Sequence, residues 1–110
     1  MLEKTTHLNL LYDFYHPLLT EKQRQYMELY YQDDYSLAEI ADQFQVSRQA
    51  VYEHLKRVEE LLNRYEQLLG LAQKYKRRQE LIRRMLALLD EDHPKGEELK
   101  TLLLELKQLD

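Results

Sequence analysis

Cysteine is absent from this 110-residue chain, so it has no disulfide framework, no thiolate metal site and no thiol redox chemistry. Only 2 glycines and 2 prolines interrupt it. No Val- or Ile-rich run alternates with polar residues, and no sheet is expected. Abundant Leu, Glu, Lys, Gln and Arg, with 33% charged and 44% apolar residues, favour long helices in one compact domain or a small domain with a helical arm. No apolar run is long enough to cross a bilayer, and an N-terminus carrying Glu3 and Lys4 does not read as a signal peptide. A cytoplasmic location is expected by default.

Catalytic chemistry has little to build on. A glycine-rich phosphate loop is missing, and His7, His16, His54 and His93 stand apart, at no metal spacing and beside no nucleophile. His54 reads as a partly buried helix histidine. A non-enzymatic protein without metal or cofactor is expected. Positive charge is outnumbered: 16 Lys and Arg against 20 Asp and Glu give a net charge of −4, which argues against a general polyanion binder. Residues 36–65 hold 4 basic and 5 acidic side chains, whereas residues 66–89 hold 6 and 2. That basic island, Lys74, Lys76, Arg77, Arg78, Arg83 and Arg84, suits RNA, anionic lipid or an acidic protein, or is simply the solvated side of a long helix.

The most informative stretch is 36–57. Ser36 with Glu39, and then Ser47, are two helix-start signals separated by one short helix and a tight turn. Leu37, Ile40, Ala41 and Phe44 share one face of the first helix, and Val51, Leu55 and Val58 one face of the second. Two such faces must pack together, which predicts a helix-turn-helix. Ala41 suits the close crossing, and Val46 is expected to plug the core from the turn. Gln45 occupies a turn position often held by Gly or Asn, at a cost of about 1 kcal/mol if its backbone is left-handed. The second helix then turns Arg48, Gln49, Tyr52 and Lys56 outward, with Glu53 and Arg57 beside them. Arg suits guanine, Gln adenine, and Tyr and Lys phosphate, while Glu53 repels phosphate but accepts from cytosine.

These residues carry a resemblance. Ser-Leu-Ala-Glu-Ile-Ala (36–41), Val-Ser-Arg-Gln-Ala-Val-Tyr (46–52), Leu-Leu-Tyr-Asp-Phe-Tyr (10–15) and Leu-Leu-Thr-Glu-Lys-Gln-Arg (18–24) resemble the YlxM family of small bacterial helix-turn-helix proteins. The likeness is strong over residues 8–66. More distantly, the block is similar to the promoter-reading C-terminal domain of sigma factors, whose second motif helix enters the major groove. The resemblance implies a cytoplasmic, non-enzymatic protein linked to the signal recognition particle, since the family's genes lie beside that of the particle's GTPase. The partners it implies are the particle's RNA, its GTPase or both. The motif alone equally suits a DNA-binding regulator.

The expected fold is all-α, a sigma-factor-like helix-turn-helix domain over residues 1–66 with a helical C-terminal extension over 67–110. A first helix is expected from Thr5 or Thr6 to His16, before Pro17. A second is expected from Thr20, capped with Gln23 and stopped by Asp33 and Asp34; it should bury Tyr26, Met27, Leu29 and Tyr30. Val51, Leu55, Val58, Leu62, Tyr65, Leu69 and Ala72 alternate steps of four and three, a coiled-coil seam. It must dock on the first helix, a later helix or a second copy. Gly70 either ends that helix or weakens it. Tyr75, Leu81, Ile82, Met85, Leu86, Leu88 and Leu89 continue a stripe to a break at 90–96. A last helix carries Leu99, Leu102, Leu103, Leu106 and Leu109, for a hairpin or a partner chain. The long apolar seams predict a homodimer, which would suit two half-sites. The nine tyrosines read as core edges whose hydroxyls reach water or backbone, not as stacking platforms.

Overall fold

The computed structural model describes residues 2–89 and 94–108. It is all-helical, with no strand among the described residues, and divides into two compact units, 1–70 and 71–110. Helix α1 (Leu2–Tyr15) begins a turn earlier than the threonines suggest and stops one residue before His16. Pro17 opens a 3-10 turn over His16–Leu18 instead, because it disfavours helical geometry in its predecessor. Arg24 closes this turn by donating from Nη1 to the Leu19 carbonyl at 2.9 Å and the His16 carbonyl at 3.3 Å.

Helix α2 (Glu21–Met27) starts at the expected capping box: Thr20 Oγ1 accepts from the Gln23 amide, and Gln23 Oε1 from the Thr20 amide. It does not run on as an α-helix. A π turn takes over at Glu28–Gln32, where the Asp33 amide donates to the Glu28 carbonyl at 2.9 Å, and Asp34 (φ 57°) ends the element. The wider turn leaves Leu29 and Tyr30 half-buried, where the helical spacing had them in the core. Tyr26 and Met27 are buried as expected.

Helices α3 (Leu37–Phe44) and α4 (Arg48–Leu69) complete the first unit. The seam of α4 is closed within the chain: Val51, Leu55, Val58 and Leu62 are all buried, and α1, α2 and α3 all pack on α4. Beyond Leu62 it fades, with Tyr65 half-buried and Leu69 exposed. Three tyrosine hydroxyls tie this unit together, and they reach carboxylates rather than water or backbone. Tyr12 donates to Glu28 and Tyr15 to Glu66, each at 2.7 Å, and Tyr31 donates to Glu59. Burial and the facing carboxylate hold the Tyr12 and Tyr31 hydroxyls well above the usual tyrosine range, so both stay protonated donors.

Gly70 ends α4 in a left-handed conformation (φ 65°), its amide donating to the Glu66 carbonyl at 2.8 Å. A Cβ there would meet nothing within 4 Å, so the backbone angle, not space, calls for glycine. In the second unit, α5 (Leu71–Leu88) and α6 (Gly96–Gln108) pack on one another. Ala72 and Ile82 of α5 are buried, but Leu81, Met85 and Leu88 are exposed. On α6 only Leu103 of the expected edge is half-buried, while Leu99, Leu102 and Leu106 face outward. Leu109, His93 and most of the expected break at 90–96 lie outside the described residues.

Candidate nucleic-acid interface

The helix-turn-helix is framed by hydrogen bonds that the local sequence dictates. Ser36 Oγ accepts from the Glu39 amide, and Glu39 Oε1 from the Ser36 amide, both at 3.1 Å. Gln45 is left-handed (φ 57°, ψ 47°), and its side chain donates to the Asp42 carbonyl at 2.9 Å, offsetting part of the cost of that backbone. Ser47 Oγ accepts from the Ala50 amide at 3.0 Å and starts α4. Ile40 and Ala41 are buried at the crossing and Phe44 half-buried. Val46 does not plug the core: 38% of it is exposed, and only its amide turns back, to the Ala41 carbonyl. The left-handed residue before it redirects the chain, and the side chain follows outward.

With Val51, Leu55 and Val58 buried behind, Arg48, Gln49, Tyr52, Glu53, Lys56 and Arg57 are all exposed at the start of α4. They form two neighbouring ridges spaced by one turn, 48-52-56 and 49-53-57. Three cations outweigh one carboxylate on this face, although the whole chain carries −4. Gln49 donates to Glu53 at 3.3 Å, and Lys56 Nζ lies 5.8 Å from the Tyr52 ring centroid. Arg48, Gln49 and Tyr52 share a shallow hollow with Leu37 of α3.

Beside that face is a cavity of about 260 Å³ that the sequence did not single out, lined among others by Tyr30, Tyr31, Tyr52, Leu55, Lys56 and Glu59. Tyr30 and Tyr31 meet edge-on, with centroids 5.0 Å apart and planes at 87°. Both lie in the π turn, which has no sequence signal comparable to a cap. On the other flank, His54 meets Tyr26 at a tilt of 53° with centroids 4.3 Å apart, and Tyr26 meets Phe44 at 4.7 Å. Burial, then Arg57 and Lys22, hold His54 below the ordinary histidine value, and its buried Nε2 has no hydrogen-bond partner.

The basic island lies on α5, in the second unit, where Lys74, Lys76, Arg77, Arg78, Arg83 and Arg84 are all exposed. At about 100° per residue they cover the whole exposed side of the helix rather than one stripe. Glu80 sits 3.6 Å from Arg77 and 4.0 Å from Arg84, diluting the charge. Among the described residues no group of three or more acidic or histidine side chains could hold a metal, and no helix is long and apolar enough to cross a membrane.

Residues 2–102 match the model of the family described as "Putative helix-turn-helix protein, YlxM / p13 like". Similar proteins include UPF0122 proteins of Anoxybacillus flavithermus, 56% identical, Geobacillus kaustophilus, 54%, and Bacillus mycoides, 53%, each aligned over 110 residues that cover the whole of both chains. With the family model covering most of the chain and relatives matching it from end to end, the chain belongs to UPF0122, the YlxM / p13-like helix-turn-helix proteins.

Proposed function

We propose that this chain is a non-enzymatic, cytoplasmic regulatory protein that binds nucleic acid through the exposed ridges of α4 and serves as an accessory factor of the signal recognition particle. The observation that carries the binding surface is the α4 start: Arg48, Gln49, Tyr52, Glu53, Lys56 and Arg57 are exposed with a local positive excess, and the residues behind them are committed to the core. The particle reading is supported by the family resemblance and by a second cationic element, Lys74 to Arg84 on α5. In this reading the particle RNA, its GTPase or both are the partners, and no membrane insertion is involved.

A DNA-binding regulator is the second reading. It is favoured by the motif itself, whose capped second helix offers Arg48 and Gln49 to base edges. The exposed Leu81, Met85 and Leu88 of α5 and Leu102 and Leu106 of α6 support residues 67–110 as the dimerisation element of a homodimer. Sedimentation equilibrium at tens of micromolar should then give a dimer mass, and a monomer would remove that part.

The two readings are separated by titrating the particle RNA, its GTPase and duplex DNA with wild type and with a variant carrying Gln at the six island positions. The accessory reading expects binding to a particle component, weakened in the variant and with a flatter salt dependence. Sequence-specific DNA binding without binding to either component would leave the transcriptional reading.

A further inference from the structure

The cavity beside α4 is unused by either reading, yet two residues of the candidate face, Tyr52 and Lys56, line it. We propose that it receives one unpaired nucleobase of the bound nucleic acid, stacked on tyrosine, with the flanking phosphates on Lys56 and Arg48. This rests on the reading of α4 as the nucleic-acid surface and names the ligand that surface takes.

Size is the first argument. At about 260 Å³ the cavity falls just under the range of about 300–1,000 Å³ typical of sites for drug-sized ligands, and far exceeds the roughly 30 Å³ share of one water. A single planar base fits within it.

Chemistry is the second. Tyr30 and Tyr31 set two aromatic walls at a right angle, and Tyr52, 47% exposed, offers a third ring that the core does not need. Such rings stack bases of any sequence. Charge is the third: Lys56 lies on the lining and Arg48 in the adjoining hollow that also contains Tyr52, so cations flank the aromatic cavity. A paired base keeps both faces in its stack and cannot enter; an unpaired one in a bulge, loop or single strand can.

The test uses labelled hairpins of one sequence, fully paired or with a single bulged guanine or uracil, each as RNA and as DNA. They are titrated by fluorescence anisotropy at fixed salt with the full-length wild type, Tyr52→Phe, Tyr52→Ala and Arg48→Ala. Wild type should prefer either bulged hairpin over the paired one by at least about 5-fold. Tyr52→Phe should keep that preference and Tyr52→Ala lose it, with unchanged helical melting, while Arg48→Ala should weaken both hairpins alike. A preference confined to RNA would assign the source to RNA, and one shared by DNA to any unpaired strand. Equal binding of bulged and paired hairpins, or a preference that survives Tyr52→Ala, overturns the base pocket and leaves the α4 surface standing. Binding to no hairpin overturns both.

Discussion

Two residues with left-handed backbone frame α4. Gln45 precedes it at φ 57° and Gly70 follows it at φ 65°, but only Gly70 avoids the cost that a Cβ imposes there. Opposite effects should result. Gln45→Gly is expected to raise stability by about 0.5–1 kcal/mol, and Gly70→Ala to lower it by about 1 kcal/mol, as read from urea midpoints at unchanged slope. His54 gives a third prediction. Burial, Arg57 and Lys22 lower its proton affinity in the fold, whereas the unfolded chain takes up a proton as pH falls through about 6.5. The unfolded state then binds more protons, so stability should decline below that pH, and His54→Gln should flatten the decline. An identical acid limb in the two proteins would show that His54 is not its source.

Among the elements, caps and apolar periodicity were readable from sequence, and irregular backbone was not. Thr20, Ser36 and Ser47 were identifiable because a side-chain oxygen three residues ahead of an unpaired amide is a local device. For that reason Ser36→Ala should cost about 1 kcal/mol, measurable as a lower melting temperature, with the α4 face left intact. Val51 to Leu62 followed equally from spacing, since the buried face of α4 repeats every three or four residues. Within the π turn at Glu28–Gln32, Tyr31 meets Glu59, a residue 28 positions away, and a contact that distant leaves no local signal. Spacing alone therefore does not single out Tyr30, Tyr31 and Glu59 as a possible site, and it places Leu29 and Tyr30 in the core. Val46 departs from expectation for a related reason: an apolar residue in a turn points where the neighbouring left-handed residue sends it.

At the scale of the whole molecule, charge divides the candidate surfaces. The chain is acidic overall, so binding cannot come from a uniform field and must come from local faces. If α4 positions phosphates, Arg48 and Lys56 are the cations best placed to do it, and Arg48 in a bidentate base contact should contribute about 1–3 kcal/mol of discrimination. The most direct test is a titration of the signal recognition particle RNA, at two salt concentrations, with wild type and with an Arg48→Ala, Lys56→Ala double variant whose melting is unchanged. The account predicts affinity lower by about 10-fold or more and a salt slope reduced by nearly two counterions. Wild-type binding that the double variant reproduces in both affinity and slope would contradict it.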